Sequence, residues 1–204
     1  MKIISKYTIV FLLGLFVSSC AKEKKNNDVP NEPSFSVVAK QSSLQWTAYK
    51  TTDKVPVKGT FTDIKVTNSK PSSDALTAVK GMEFEIPVSS IYSKDSIRDA
   101  KLNLFFFNVM ANTASLKGKF KELSDNKGVL ELKMNGMSKD LNFDYVKNQD
   151  TIMIEARMDL NVWETGEALE SLNKACEVLH TGADGVSKTW DEVQINAKIL
   201  TRQQ

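Results

Sequence analysis

The sequence predicts an all-β domain in which an antiparallel sheet closes into a barrel or folds into a sandwich. Apolar and polar residues alternate with a period of two along seven or eight stretches of the chain, which is the pattern of strands that bury one face. The connections between these stretches are short, as they are in antiparallel sheets. The length of 204 residues and the content of 41% hydrophobic and 25% charged residues match a globular protein with one domain.

Residues 1–19 have the features of a lipoprotein signal peptide. Lys2 and Lys6 form a basic region, and an apolar core of eleven residues follows from Tyr7 to Val17, too short for a bilayer, which needs about 20 residues. Two small residues then precede Cys20, an arrangement that resembles the bacterial lipobox. We therefore expect cleavage before Cys20 and its acylation, with palmitate or a similar chain. The mature protein would be anchored to a membrane of the cell envelope, at the periplasmic face or the outer membrane.

Residues 20–33 form the expected tether, because they are polar and contain almost no residue that could build a core. The folded domain is then residues 34–204. The chain has 27 Lys and Arg against 25 Asp and Glu, and removal of Lys2 and Lys6 with the signal peptide leaves equal numbers. A neutral domain whose lysines alternate with apolar residues argues against nucleic-acid binding.

The alternation predicts the individual elements in order. Strands are expected around residues 44–48, 57–66 with a slip near Asp63, 82–88, 116–120, 130–136, 141–145, 152–162 and 193–199. The fifth and sixth form a hairpin with a turn at Met137–Ser138. Residues 164–179 carry apolar side chains at helical spacing, and residues 95–107 suggest a short helix that leads into an aromatic cluster. Helices that interrupt a closed sheet usually cover an open end.

Large apolar side chains dominate the inward positions of these strands, and two interpretations of them remain open. They fill the barrel as a packed core, which periodicity alone favours, or they line an apolar cavity for a small ligand. The candidate ligand-binding residues are Trp46, Phe61, Phe84, Ile86, Phe105, Phe106, Phe107, Met110, Phe120, Leu132, Met134, Phe143 and Met158.

A set of segments in fixed order resembles the YceI-like family. The segments are Trp46 with Lys58–Phe61, Met82–Ile91, Ile97–Leu102, Phe105–Val109, Gly128–Met137 with Leu141, and Asp191–Ile195. The resemblance runs from Ser34 to Arg202. It implies an antiparallel, eight-stranded, lipocalin-like barrel with one or two short helices capping an end. It further implies a non-enzymatic protein that binds, sequesters or transports a polyisoprenoid or similar long apolar lipid in the bacterial envelope.

Two features depart from the family pattern, and one alternative function stays open. Many members carry a His shortly after the first aromatic strand, where this chain has Lys50 or Thr51. The helical segment Leu172–His180 is longer than in the simplest members. The alternative is a ligand-free packed barrel that serves as an interaction or stress-response module at the membrane surface. The oligomeric state stays open, a dimer included.

Cys176, His180 and Asp184 follow one another at intervals of four and form the sharpest competing motif. A thiolate–imidazole pair or part of a metal site would need such spacing on a helix. However, Cys176 lies on the apolar stripe, and the chain has no second His. We therefore expect no catalytic residue, no metal site and no cofactor other than a bound lipid. If Cys20 is acylated, Cys176 also has no partner for a disulfide.

Two further groups of charged residues have a functional and a structural interpretation. Arg98 and Asp99 could contact a polar ligand head, although an Arg–Asp pair at a helix start is more often a cap or an ion pair. Glu83 and Glu85 lie on the polar face of their predicted strand. That position suits solvent contact rather than acid–base chemistry.

Overall fold

The computed structural model describes residues 34–204, so the predicted signal peptide and tether lie outside the described residues. The strands are β1 Phe35–Val37, β2 Ser43–Lys50, β3 Val55–Phe61, β4 Lys65–Asn68, β5 Glu83–Pro87, β6 Ile91–Tyr92, β7 Ser115–Ser124, β8 Lys127–Met134, β9 Met137–Asn148, β10 Thr151–Asp159 and β11 Thr189–Gln203. The helices are α1 Ala75–Val79, α2 Ser96–Leu102, α3 Gly166–Ala175 and α4 Glu177–His180. A π-helical turn, Asn103–Phe107, follows α2 directly, and 3₁₀ turns span Ala39–Gln41, Val88–Ser90 and Leu160–Trp163.

The predicted eight-stranded antiparallel barrel is confirmed, although the chain forms it from more than eight strand segments. The sheet runs in the order β4-β5-β7-β8-β9-β10-β11-β2-β3-β6. Its two ends meet, because β3 continues into β4, β5 continues into β6, and these bent strands pair with each other through β3–β6 and β4–β5. The Thr62 N–H donates to Ser90 O at 2.9 Å across the bend. Each bent strand therefore counts once, and eight strands close the ring.

The two ends of the barrel carry different elements. At one end, here called the mouth, β2 finishes at Lys50 opposite the start of β11 at Thr189, and the π-helical turn packs on α2 and α3. At the other end, the far end, β1 pairs with the last residues of β11, with Phe35 opposite Gln203. Helix α1 also packs against β1 at the far end. Helices thus cap the mouth, as the sequence predicts.

Helix α1 was not predicted, although its start carries a recognisable signal. The Asp74 carboxylate accepts hydrogen bonds from the backbone N–H groups of Leu76 at 2.9 Å and Thr77 at 3.0 Å. These bonds satisfy two of the free amides at the helix start. The pKa of Asp74 lies below its usual value, first because the Thr77 hydroxyl donates to the carboxylate and then because of these backbone bonds.

The helical region and one hairpin differ from the sequence prediction in detail. The helix expected over residues 164–179 is interrupted at Cys176, whose φ of −117° and ψ of 14° are not helical. The turn expected at Met137–Ser138 lies instead at Asn135–Gly136. Both turn residues have positive φ, 49° and 72°, which is the geometry that Asn-Gly favours in a tight hairpin. The prediction overlooked that signal.

The buried apolar side chains form one core inside the barrel. It extends under α3, where Ala168 and Leu172 are buried, and the indole N–H of Trp163 donates to Leu132 O at 3.0 Å. Within residues 34–204, no helix is both long and apolar enough to cross a membrane.

Candidate functional site

Two apolar cavities lie along the interior of the barrel. The mouth cavity has a volume of about 110 Å³ and lies beneath α2, the π-helical turn and α3. The far cavity has a volume of about 90 Å³ and reaches β1 and the 3₁₀ turn at Ala39. Ile195 of β11 lines both cavities. The interior is therefore neither uniformly packed nor a single open channel.

The structure brings ten of the thirteen candidate residues to these cavities. Six line the mouth cavity, namely Trp46, Phe61, Phe106, Phe107, Met134 and Met158. Four line the far cavity, namely Phe84, Ile86, Phe120 and Phe143. Met110 and Leu132 are buried and belong to the wall without lining either space. Contact with a ligand remains a prediction for all of them.

Phe105 does not face the interior, which corrects its place among the inward residues. Its exposed fraction is 37%, and it lies on the outside with residues of α3 such as Glu170 and Lys174. In the π-helical turn, successive side chains point in different directions, so Phe106 and Phe107 reach the core while Phe105 does not. Because Phe105, Phe106 and Phe107 are consecutive, the sequence does not indicate which of the three rings faces the interior.

Several lining residues were not among the candidates. Leu169 and Leu172 of α3 close the mouth cavity from above, and Trp190 borders it where β11 begins. The Trp190 indole N–H donates to Thr51 O at 2.8 Å. Lys188 Nζ lies 3.7 Å from the centre of its ring. Period-two alternation starts only after Trp190, so the strand pattern did not include it.

Three inward aromatic rings lie over glycines of the neighbouring strand. The cross-strand pairs are Trp46 with Gly59, Phe84 with Gly118, and Phe143 with Gly128. A Cβ at Gly59 would lie 2.6 Å from Trp46 Cε2, and a Cβ at Gly118 would lie 2.6 Å from Phe84 Cε1. Because no side chain occupies these positions, the rings can lie against the wall. Room for the cavities is left inside the barrel.

A family model and solved structures place this geometry among known proteins. The model of the YceI-like domain matches residues 35–200. This chain belongs to the YceI-like family. A search of curated protein sequences finds no match.

Two solved structures share the fold of this YceI-like domain. One is described as a polyisoprenoid binding domain from Saccharophagus degradans implicated in plant cell wall breakdown. Its sequence is 13% identical, and the TM-score is 0.58. The superposition covers 83% of this chain and 98% of the Saccharophagus degradans domain. The other is BcnA of Burkholderia cenocepacia, with 16% identity, a TM-score of 0.55, and coverage of 81% and 99%. At these identities the likeness establishes the fold.

Another space, lined by charged as well as apolar side chains, lies beside the mouth cavity of the YceI-like domain. This cationic pocket has a volume of about 190 Å³, and its lining includes Lys50, Arg98, Lys101, His180 and Asp95. It shares Trp46, Ala48, Leu102, Leu172 and Thr189 with the mouth cavity. Polar groups from β2, α2 and α4 thus meet at one end of an apolar interior.

The Cys176, His180 and Asp184 motif does not form a reactive group. Burial raises the pKa of the Cys176 thiol, despite the nearby cations, so the thiolate is disfavoured. Burial, with the positive charges of Lys50 and Lys101, lowers the pKa of His180 to about 4. The Nδ1 atom of His180 lies 2.7 Å from Thr189 Oγ1. Asp184 instead accepts a bond from the backbone N–H of Val186 within its own loop.

The remaining candidate charges have structural partners. Glu83 pairs with Lys119 at 3.2 Å and Glu85 with Lys117 at 3.6 Å, each across neighbouring strands on the outer wall. Asp99 accepts from the Ser93 backbone N–H at 2.9 Å. Among residues 34–204, no cluster of three or more His, Cys, Asp or Glu side chains could hold a metal ion.

Proposed function

We propose that this protein binds a polyisoprenoid or similar long apolar lipid inside the barrel and carries or sequesters it without chemical change. The observation that carries the proposal is the pair of apolar cavities aligned along one barrel. Burial of a lipid tail releases about 0.8 kcal/mol per CH₂ group. A tail of several isoprene units thus offers more transfer free energy than any realistic affinity requires.

Membership of the YceI-like family supports this proposal. The Saccharophagus degradans domain that shares the fold is described as polyisoprenoid binding. A barrel of about eight strands is also the size that holds one small ligand in other proteins. Cavity shape and length would then govern selectivity, because the lining offers few polar contacts.

The lipid needs more room than the two cavities provide in this structure. An apolar cavity of about 150 Å³ is large enough for benzene, whereas the larger cavity here has about 110 Å³. Binding therefore requires side chains between the cavities to move and join them. Met134 and Met158 line the mouth cavity, and methionine adapts readily because its unbranched side chain has three rotatable bonds.

The test is the lipid content of purified protein. All strand pairings lie within residues 35–203, so a chain of residues 34–204 contains the whole fold. That chain would be purified from a bacterial host without detergent, extracted with organic solvent and analysed by mass spectrometry. We expect about one long-chain lipid per folded protein. Folded protein with no stoichiometric lipid would contradict the proposal.

Cavity-filling variants link the lipid to the barrel interior. Ala48 lines the mouth cavity and Ala197 the far cavity, so Ala48→Phe and Ala197→Phe should fill them and reduce bound lipid. Phe120→Asp should abolish lipid retention and can also unfold the barrel. Val146→Asp is the matched control, because Val146 is 59% exposed. Unchanged lipid content in folded Ala48→Phe and Ala197→Phe would place the lipid elsewhere.

The small size of the cavities favours a second candidate, a packed barrel that acts as an interaction or stress-response module. Overpacking usually costs 1–3 kcal/mol in a filled core. In a barrel whose cavities stay empty, filling them should instead stabilise the fold. Lipid-free wild-type protein, together with cavity-filling variants of higher stability, would support this second function.

We also propose that acylated Cys20 anchors the protein in the cell envelope. Two or three acyl chains hold a protein stably on a membrane, whereas one chain does so only marginally. Cys20→Ala should move full-length protein from the detergent phase to the aqueous phase in a phase-separation assay. Cys176→Ala is the matched control, since the chain has only these two cysteines. Equal partitioning of Cys20→Ala and wild type would contradict lipidation.

A further inference from the structure

The backbone ladder between β9 and β10 covers only part of the seam between these two strands. Pairing ends where Glu155 lies opposite Asp144. Beyond that point β9 continues along β8, and β10 continues along β11. Among residues 34–204, no ladder therefore joins Met137–Phe143 of β9 to Ala156–Asp159 of β10. We call this unpaired part of the seam the slot.

The slot is fastened at both ends, so it is an opening within the wall rather than a frayed edge. The paired part of the β9–β10 seam holds its far end. At the mouth, the side-chain amide of Asn135 donates to Trp163 O at 2.8 Å and to Glu164 O at 3.1 Å. These bonds join the turn before β9 to the turn after β10. With a rise of about 3.3 Å per residue, the slot is about 13 Å long over Ala156–Asp159.

Apolar side chains close the slot from the inside. Leu141, Phe143 and Ala156 line the far cavity, and Met158 lines the mouth cavity. The slot therefore lies beside the place where the two cavities would join. On the outside, Phe143 and Ala156 also border a surface cleft of about 570 Å³. The wall at these two residues is one residue thick and is not held by a ladder.

Entry at the mouth would disturb more interactions than entry at the slot. Helix α3 buries Leu172 against the barrel. Lys101 Nζ donates to Ala175 O at 2.8 Å and Lys50 Nζ donates to Leu179 O at 3.0 Å, which fastens the ends of α3 and α4 to α2 and β2. Removing the helices would break these bonds and expose apolar surface, and both changes cost free energy. Opening the slot requires apolar side chains to change rotamer but breaks no ladder hydrogen bond.

We propose that the slot is the entrance through which an extended apolar chain reaches the barrel interior, with Phe143 as its gate. This inference rests on the proposed function and adds a route to it. The Phe143 ring has room to turn because Gly128, the residue opposite in β8, has no side chain. A Cβ at Gly128 would lie 2.4 Å from Phe143 Cε2. A chain that enters sideways meets both cavities at once and does not have to thread past the helices.

A removable cross-link across the slot tests this route. In a continued ladder Asn142 would lie opposite Arg157, because Asp144 lies opposite Glu155, and both side chains are exposed. Asn142→Cys/Arg157→Cys would be made in residues 34–204 carrying Cys176→Ala and joined by a bifunctional thiosulfonate that reductant cleaves. Stopped-flow fluorescence of retinol, an isoprenoid alcohol, would give its association and dissociation rates with delipidated protein. We expect the cross-link to slow both rates about tenfold, and reduction to restore them.

Met153→Cys/Lys198→Cys is the matched control for the cross-link. These exposed residues lie opposite each other in β10 and β11, where the ladder is complete. Cross-linking this pair should change neither rate. In the slot variant both rates should fall by the same factor, because a blocked route alters the path and not the bound state. Unchanged rates in the cross-linked slot variant, or equal slowing in the two pairs, would overturn the proposal.

Two alanines of the far cavity give a test without cross-linking. Ala156→Leu and Ala197→Leu add the same side chain to that cavity, which both residues line, but only Ala156 borders the slot. Both variants should weaken binding to a similar extent. Ala156→Leu should also slow association about tenfold more than Ala197→Leu does. Equal association rates for the two variants would contradict an entrance at the slot.

The outcomes separate the entrance from the proposed function. Lys50→Gln/Lys101→Gln releases the ends of α3 and α4 from β2 and α2. Faster retinol entry in that variant, together with rates that ignore the slot cross-link, would place the entrance at the mouth while lipid binding stands. Failure of retinol to bind wild-type protein at equilibrium would contradict the proposed function itself.

Discussion

The two halves of the barrel have different physical characters. The far half is built on a chain of rings, in which Phe120 lies 6.0 Å from Phe84 and 5.7 Å from Phe143 between ring centres. The mouth half adds two flexible methionines, a lid of helices and the cationic pocket. One closed sheet thus carries an apolar cavity at each end, and charged groups adjoin only the cavity at the mouth. Charged groups therefore adjoin the interior at the mouth, whereas the far half is lined almost entirely by apolar side chains.

The largest expected effect comes from loss of a ring in the far half. Phe120→Ala removes a buried side chain that contacts two other rings, so the free energy of unfolding should fall by about 3–5 kcal/mol. Met158→Leu in the mouth half conserves volume and should cost at most about 1.5 kcal/mol. Urea unfolding followed by circular dichroism measures both. Equal decreases in the free energy of unfolding for Phe120→Ala and Met158→Leu would contradict this contrast between the halves.

Substitution of the glycines beneath the rings should also affect stability differently in the two halves. Gly59→Ala places its Cβ against the Trp46 indole, 2.6 Å from Cε2, and 2.9 Å from the backbone oxygen of Tyr92, and the backbone cannot swing aside. At Gly118 the three nearest atoms all belong to the Phe84 ring, which lines the far cavity and can turn into it. Overpacking usually lowers the free energy of unfolding by about 1–3 kcal/mol. We expect a loss near the upper end of that range for Gly59→Ala and near the lower end for Gly118→Ala.

Gly166→Ala is the matched control for both variants, because no atom lies within 4 Å of an added Cβ there. Calorimetric Tm values would rank the three proteins. In addition, Gly118→Ala should shorten the lipid tails that the far cavity accepts. A larger loss of stability for Gly118→Ala than for Gly59→Ala would show that the far ring is the more firmly fixed.

The mouth half should also respond to pH through His180. Folding lowers the pKa of His180 from 6.5 to about 4, mainly through burial. The unfolded chain therefore binds more protons between these values, and stability is lost as the pH falls from about 6.5 towards 4. The loss should be on the order of 1 kcal/mol, because the group is only partly buried.

His180→Asn should remove that part of the pH dependence. Urea midpoints at pH 7 and pH 4.5 would be compared in both proteins, so that carboxylates common to the two cancel. An identical change in the two proteins would show that His180 is not buried from solvent as the structure describes.

The smallest effects are expected from ion pairs at the barrel surface. Glu192, whose side chain is 24% exposed, lies 2.9 Å from Lys54 and 3.6 Å from Arg157 near the mouth. Glu83 on the outer wall contacts Lys119 alone, and its side chain is 39% exposed. Glu192→Gln should cost up to about 1 kcal/mol and Glu83→Gln at most about 0.5 kcal/mol. High salt should reduce both differences.

The barrel could be predicted because each strand shows its buried face within a few residues. The slip near Asp63 marks the bend between β3 and β4, and the eight strands follow from the alternation and the family resemblance. Closure at the bent strands could not be predicted, since pairs such as Phe61 with Ile91 join distant parts of the chain. The break at Cys176 was also hidden, because an apolar stripe continues across it.

The candidate site was predicted only where it coincides with the strand pattern. Trp46, Phe84 and Phe120 alternate with polar residues, and the structure places all three at the cavities. The cationic pocket has no local signal, because Lys50, Lys101 and His180 come from three elements and meet only in the folded chain. Arg98 lies in a recognisable Arg–Asp pair, whereas Lys50 and Lys101 lie in no motif.

The pairing of β1 with the end of β11 fixes where the chain enters the domain. Phe35 lies opposite Gln203, at the end away from the mouth. If Cys20 carries the predicted acyl anchor, the anchor joins the domain at the far end of the barrel. β11 has 15 residues and would span about 50 Å if it were straight. Residues 20–33, the expected tether, would span about 45–50 Å when fully extended. An anchor on this segment would therefore leave the helices of the mouth free of the attachment point.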